Sequence, residues 1–269
     1  MSLYTTAQQA CKVLSLHGKV ALITGASSGI GAATSILFSK LGAKLILNGR
    51  NVEGLKETAK LCDEANKEKI FLVPGDVTDE TVVEHIIKES ITKFGQLDVL
   101  INNAGIVGYA TIENTSLKQF DTIMKTNVRA VYHLTMLAVP HLIKTKGCIV
   151  NISSICGVRS FPKYLAYCMS KAALEQFTKC TSLELASKQV RVNSVCPGVI
   201  DTNIFVRGGM TEEERLQFLE YSKTTHALGR IGTLDEVAQA VAFLASDAAS
   251  FATGISVIVD GGKHAMCPL

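Results

Sequence analysis

Short, unbroken apolar runs recur along the chain, each followed by a longer stretch whose apolar positions repeat at helical spacing. Runs at 20–24, 44–48, 70–73, 99–102, 148–152, 191–195 and 255–259 predict strands. They are continuously apolar rather than alternating, which marks strands covered on both faces. Stretches at 30–41, 52–66, 80–94, 117–143, 164–187 and 234–246 predict helices. Repeated strand–helix units of this kind predict an α/β fold with a parallel sheet and right-handed crossovers. No Pro- or Ser-rich linker and no low-complexity tract interrupts them, so residues 1–269 are expected to form one domain, with 1–18 as an N-terminal extension. Residues 202–232 break the rhythm. They carry a short predicted helix at 212–221 and form a candidate substrate lid.

The chain has 269 residues, 47% of them hydrophobic, enough for one large core. A net charge of +3 does not suggest a nucleic-acid or membrane-surface partner. No apolar run approaches the ~20 residues of a membrane span. No Asp or Glu precedes Glu53, which suits a positive field around a phosphate-bearing ligand, with a chance lapse as the plainer alternative. The acid-free start contains Ser, Thr and two Lys. It reads as a surface extension, with a mitochondrial presequence as the alternative. The 8 cysteines, Cys11, Cys62, Cys148, Cys156, Cys168, Cys180, Cys196 and Cys267, form no C-x-x-C pair. Reduced thiols and a cytoplasmic location are expected. The 6 histidines show no metal-ligand spacing, so no metal is expected.

The chemistry begins after the first strand, at Thr24, Gly25, Ala26, Ser27, Ser28, Gly29, Ile30 and Gly31. A glycine-rich turn between a strand and a helix lets the backbone approach a diphosphate, whose charge meets the helix N-terminus. An ordinary βα turn is the alternative. The second strand ends at Gly49-Arg50, where an acid would bind a ribose 2′-hydroxyl and an arginine accommodates a 2′-phosphate. This favours NADP(H), with NAD(H) as the alternative. Asp76, with Val77 beside it, could accept from the adenine amino group or cap the next helix. Asn102, Asn103, Ala104 and Gly105 end the fourth strand beside the expected crevice. Asn127 is a polar misfit inside a predicted helix, either serving a specific purpose or facing solvent. Ser154 follows the fifth strand, where its hydroxyl could hold a substrate oxygen or serve the turn. Tyr167 and Lys171 stand four apart on one helix face, where an ammonium favours the ionised phenol. They form a candidate acid–base device.

In their joint order and spacing these residues, with Pro197, Gly198, Ile200 and Thr202 and the closing Asp260-Gly261-Gly262, resemble the short-chain dehydrogenase/reductase family, in its single-domain branch. The resemblance runs from about Lys19 to Gly262. It implies a Rossmann-like, doubly wound, seven-stranded parallel sheet with helices on both faces. It also implies that Tyr167 is the general acid in reduction and the base in oxidation, and that Lys171 lowers its pKa and binds the nicotinamide ribose. Ser154 then orients the substrate oxygen, and Asn127 anchors a water linking Lys171 to solvent. Ile200 and Thr202 would contact the nicotinamide end. A homotetramer or dimer pairing the helices at 117–143 and 164–187 is implied as well.

The expected activity is that of an NADP(H)-dependent carbonyl reductase or alcohol dehydrogenase. Candidate pocket residues are Val107, Ile155, Phe161, Tyr164, Phe205, Val206, Met210, Phe218 and Tyr221. This apolar set without a clustered basic group favours a neutral, hydrophobic ketone or secondary alcohol. A 3-oxoacyl-thioester reductase and a non-catalytic NADPH-binding sensor are the alternatives. Cys156 and Cys168 flank Ser154 and Tyr167, either redox-sensitive or inert.

Overall fold

The computed structural model describes residues 14–62 and 68–266. The first thirteen residues of the predicted extension lie outside the described residues, as do 63–66 of the helix predicted over 52–66, and Cys11 and Cys267. Each apolar run becomes a strand: β1 (Val20–Ile23), β2 (Lys44–Gly49), β3 (Ile70–Pro74), β4 (Val99–Asn102), β5 (Cys148–Ile152), β6 (Arg191–Pro197) and β7 (Ser256–Val259). They form one sheet in the order β3-β2-β1-β4-β5-β6-β7, parallel throughout. This is the Rossmann-like, doubly wound architecture. The order reverses between β1 and β4, where open α/β sheets leave a crevice beyond the strands' carboxyl ends.

The helices are α1 (Gly29–Lys40), α2 (Val52–Leu61), α3 (Glu80–Phe94), α4 (Leu117–Met124), α5 (Ala130–Thr145), α6 (Leu165–Ala186), α7 (Ile204–Arg207), α8 (Glu212–Thr224) and α9 (Leu234–Ala245). On one face of the sheet, Ala21 and Ile23 pack with Phe38 of α1, Leu55 of α2 and Val237 and Val241 of α9. On the other, Val20 and Leu22 pack with Ile86 of α3, Leu134 and Leu142 of α5 and Leu185 of α6. Successive residues of β1 thus point into two different cores, which is why the run is apolar without alternation.

Two elements depart from the sequence expectation. The helix expected over 117–143 is α4, then a π-helical segment (Lys125–Arg129), then α5. Asn127 lies in that segment and its side chain is bonded sideways, as described below; such π segments often mark functional sites. The helix expected over 212–221 extends to Thr224 and starts at a capping box between Thr211 and Glu214. The short α7 before it had no signal in the sequence pattern.

Candidate active site

The carboxyl ends of the strands open into one cleft of ≈ 1390 Å³. Near β1 to β3 it is lined by Gly25, Ser27, Ser28, Gly29 and Ile30, with Arg50, Asp76 and Val77. Gly25 (φ 64°) and Gly29 (φ 57°) occupy the left-handed region that glycine tolerates. Gly31 does not line the cleft. A Cβ there would stand 2.4 Å from the Gly25 carbonyl oxygen and 2.5 Å from Asn103 Nδ2, so Gly31 is the floor on which the loop rests. The loop is tied from β4: Asn103 Nδ2 donates to the Thr24 carbonyl at 2.8 Å, and Thr24 Oγ1 accepts from the amides of Asn103 and Ala104, each at 3.0 Å. No side chain caps the first turn of α1 and no acid lies in it. Ser28 Oγ instead accepts from Arg207 Nη1 at 3.3 Å. A helix N-terminus open in this way is an anion site.

Arg50 Nη1 lies 3.5 Å from Asp76 Oδ2. The other oxygen of Asp76 accepts the Thr78 N–H at 2.9 Å. Partial burial opposes the charge, but Thr78 and Arg50 together hold the Asp76 carboxyl below the ordinary aspartate range. Asp79, not Asp76, caps α3.

At the β5 end, Ser154 is buried, accepts from the Cys156 amide at 3.1 Å and is close enough to the Tyr167 phenol to favour its ionised form. Lys171, one turn on along α6, is buried, with Nζ 5.7 Å from the Tyr167 ring centre, and donates to the Ile152 carbonyl at 2.8 Å. Asn127 is buried behind the cleft wall. Its Oδ1 accepts from the Ile106 amide at 2.9 Å, and its Nδ2 donates to the Ile106 carbonyl at 2.9 Å and to Ser170 Oγ at 3.0 Å. Both amide hydrogens are engaged, so the side chain could hold a water only through the second lone pair of Oδ1. Gly105 lets these groups approach: a Cβ there would stand 3.4 Å from Asn127 Oδ1 and 3.6 Å from Lys171 Nζ.

The electrostatics correct one expectation. The spacing of Tyr167 and Lys171 predicts a phenol drawn toward ionisation. Burial instead pushes the phenol above the usual tyrosine range; nearby Cys156 adds to this, and Ser154 only partly opposes it. The ammonium is itself pushed down, to about 8, by burial. Tyr167 is therefore held as the acid, and its anion needs a further positive charge in the cleft.

The remaining predicted cofactor residues, Ala104, Gly105, Pro197, Gly198, Ile200 and Thr202, line the cleft, as do Val107, Ile155, Phe161, Tyr164, Phe205, Phe218 and Tyr221. Val206 and Met210 do not. Val206 is exposed on α7, and Met210 follows Gly209 (φ 111°) in a turn that bonds its amide back to the Phe205 carbonyl. Phe205 packs on Phe218 with ring centres 5.1 Å apart, joining α7 to α8. Three lining cations were not foreseen: Arg159, Arg207 and Lys263. With Arg50 and Lys171 they make the lining basic, against a single acid, Asp76. The expectation of a pocket without clustered cations therefore fails. Arg159 stands five residues past Ser154 and Lys263 directly follows Asp260-Gly261-Gly262, but nothing local in the sequence turns either toward the cleft. The Cys156 and Cys168 thiols are close enough to influence each other's ionisation, raising Cys156 and lowering Cys168. Among the described residues there is no metal-holding group of His, Cys, Asp and Glu, and no helix is long and apolar enough to cross a membrane.

Residues 25–264 match the family described as enoyl-(acyl carrier protein) reductase. The chain is 38% identical to a 3-oxoacyl-[acyl-carrier-protein] reductase of Thermotoga maritima, over 92% of this chain and 98% of that protein. It is 38% identical to meso-2,3-butanediol dehydrogenase of Serratia marcescens, over 92% of this chain and 95% of that one. Among solved structures it resembles a short-chain dehydrogenase/reductase of unknown function from Caenorhabditis elegans, crystallised with cofactor. The TM-score is 0.89 at 34% identity, covering 93% of this chain and 97% of that one. With its seven-stranded doubly wound sheet and these relatives, the chain belongs to the short-chain dehydrogenase/reductase family, oxidoreductases that bind a nicotinamide cofactor.

Proposed function

We propose that this protein is an NADP(H)-dependent carbonyl reductase or alcohol dehydrogenase acting on a ketone or secondary alcohol with an apolar body. One observation carries the reading: Ser154, Tyr167 and Lys171 share a wall of the same cleft that holds the glycine turn and the uncapped start of α1. The residues suit a dinucleotide. A Cβ at Gly25 would stand 2.8 Å from Asn103 Nδ2, so the turn stays bare where a diphosphate would lie, and Arg207 reaches the same turn. Arg50 is exposed at the end of β2, with no acid beside it on that strand end to claim a ribose 2′-hydroxyl.

When bound, the cofactor supplies or accepts the hydride. The chain supplies the rest. Ser154 and Tyr167 hold the substrate oxygen, and Tyr167 passes it a proton in reduction and takes one in oxidation. Lys171, its Nζ anchored on the Ile152 carbonyl, binds the nicotinamide ribose and restores the proton. Asn127 locks the Ile106 loop to α6, which keeps Lys171 in register. Val107, Ile155, Phe161, Tyr164, Phe205 and Phe218 surround the apolar body and exclude water.

A 3-oxoacyl-thioester reductase is a second reading, favoured by the relative from Thermotoga maritima. The complete proton-transfer set disfavours a pure NADPH sensor. Exposed Tyr132 and Met136 on α5 and Met169 and Leu183 on α6 support a homotetramer or dimer formed through those helices. The unpaired cysteines support a reducing, cytoplasmic setting. The test is NADPH and NADH absorbance across a panel of ketones, secondary alcohols and a 3-oxoacyl thioester. Turnover of some ketone, faster with NADPH, is expected; cofactor binding without turnover of any of them would leave the sensor.

A further inference from the structure

The cleft runs along the strand ends from Asp76, after β3, to Lys263, after β7. Among the described residues its one lining acid is at the first end, and a cation that forms no ion pair is at the other. Lys263 is half-buried, and its Nζ lies 5.6 Å from the centre of the Phe161 ring, on the substrate side of Ser154. It donates one hydrogen bond, to Thr225 Oγ1 of the lid at 2.9 Å. Among the described residues it makes no ion pair.

The nearest candidate partner is taken. Asp260 accepts from the amides of Gly262 at 3.0 Å and His264 at 2.6 Å, and from His264 Nδ1 at 2.9 Å. His226, close enough to feel the Lys263 charge, has both ring nitrogens in use: Nδ1 lies 2.6 Å from the Ser222 carbonyl and Nε2 accepts from the Val199 amide at 3.3 Å. Burial already pulls the Lys263 ammonium below the usual lysine range, with Cys156 and Asp260 opposing, so an arriving anion would find a poorly hydrated charge. A half-buried lysine kept at a cleft wall without a direct ion pair is costly unless a ligand completes it.

Resting on the oxidoreductase reading above, we propose that the substrate is an oxo or hydroxy carboxylic acid whose carboxylate is seated by Lys263 while its carbonyl or carbinol carbon lies at Tyr167. The Thr225 hydroxyl donates to the Ser222 carbonyl at 3.0 Å and accepts from Lys263, so it orients the ammonium, which keeps two N–H donors for the two oxygens of a carboxylate. A phosphate dianion would need a second cation. The obvious one, Arg159, is engaged: its Nη1 donates to the carbonyls of Lys263 at 3.4 Å and Met266 at 3.0 Å, and also to that of His264. Those contacts pin the turn that carries Lys263. Between the two polar ends lie Phe161 and Tyr164, which fit an apolar spacer. The carboxylate takes no part in bond making. It fixes which end of the molecule enters, and so which carbon meets the nicotinamide.

The test uses the whole protein with NADPH and a series of methyl-ketone carboxylic acids, the oxo group on the penultimate carbon, of increasing chain length, each beside its methyl ester and its phosphate counterpart. At the best length the acid should exceed its ester by about tenfold or more in kcat/KM, the scale of a charge-assisted hydrogen bond. In Lys263→Met that ratio should collapse toward unity, mostly through KM, and in Lys263→Arg it should persist. NADPH binding and the melting temperature, measured on each variant, separate a lost contact from a lost fold. Esters reduced as well as acids at every length, or phosphates preferred to carboxylates, would overturn the proposal and leave the oxidoreductase reading standing. No turnover of any ketone, acid or ester, would bring down that reading instead.

Discussion

The two ends of the cleft are built from different materials. The nucleotide end is backbone: Gly25 and Gly31 pack against Asn103 after β4, and a Cβ at Gly31 would also meet the Gly25 carbonyl oxygen at 2.4 Å. The substrate end is side chains, drawn from α7, α8 and the segment after β7. Its hinge glycine, Gly209, has nothing within 4 Å of where a Cβ would stand. A site made of peptide groups recognises what all dinucleotides share. A site made of side chains on surface segments can differ between proteins of one fold, and that is where substrate choice resides.

The most severe way to break this division is at the point where the ends meet. Tyr167→Phe keeps the ring and removes the transferable proton. Turnover should fall at least the ~10²-fold of a lost general acid, with NADPH binding retained in a fluorescence titration. Near-normal turnover would move the acid elsewhere. Glycine replacements then compare the two ends directly. Gly31→Ala must displace backbone, so it should cost about 1–3 kcal/mol in denaturant unfolding and weaken NADPH binding by tenfold or more. Gly209→Ala has space but a strained φ, and should register in the KM for ketone more than in the Kd for NADPH. If both variants damaged NADPH binding equally, the two ends would not be separate structures.

Lys171 gives a smaller and sharper signal. Its folded pKa, about 8, lies below the ordinary lysine value of 10.5. The rate of reduction should fall as pH rises through about 8, because the charge that helps restore the proton is lost there, while Tyr167 itself stays protonated. Stability moves the other way. Between about 8 and 10.5 the unfolded chain binds more protons at this residue than the folded one, so its contribution to stability grows with pH. Opposite slopes in the kcat/KM and unfolding profiles are expected; a fall in both would place the titration on another group.

Cofactor choice should respond more gently, because Arg50 is exposed and already faces Asp76 at 3.5 Å. Arg50→Gln should lower the NADPH-to-NADH ratio of kcat/KM by about tenfold. An aspartate at Gly49 is the poorer probe, since its Cβ would stand 3.2 Å from Ser27 Oγ. A wild-type preference for NADH would remove the assignment of Arg50 to a 2′-phosphate.

What could be read from the sequence divides along the same line. Strands buried on both faces show as unbroken apolar runs, and local spacing exposes the glycine turn and the Tyr167–Lys171 pair. The π-helical segment around Asn127 did not show, because the choice between a four- and a five-residue hydrogen-bond offset depends on a partner loop, Ile106, 21 positions away. Lys263 and Arg159 stayed hidden because their meeting, across 104 positions, follows only once β7 joins the sheet beside β6. The pull of Lys171 on the phenol was misjudged for a related reason: spacing reports proximity, whereas burial, which dominates both groups, is a property of the packed molecule.

The smallest effect concerns motion at the substrate end. The sequence suggests a lid over 202–232 that moves as a whole. The structure narrows the region free to move. α8 starts at its capping box, buries Leu219 and Ser222, and is held by Arg215, which pairs with both Asp201 and Glu212. The segment after it is bridged to the body through Ile200 and Gly232. α7 has one turn, no capping side chain and no buried residue, and it leads into Gly208 and Gly209. Gly208 nonetheless sits against the pocket wall, where a Cβ would meet Val107 Cγ1 at 2.5 Å. The moving part should therefore be 203–211, hinged at Gly209, closing α7 onto Val107 and the glycine turn while α8 stays firm. Hydrogen exchange should show amides of 204–210 slowing by about tenfold when cofactor and substrate are both bound, with 214–222 little changed. Slow exchange at 204–210 already in the free protein would make this wall a fixed one, and substrate choice would then rest on a preformed pocket.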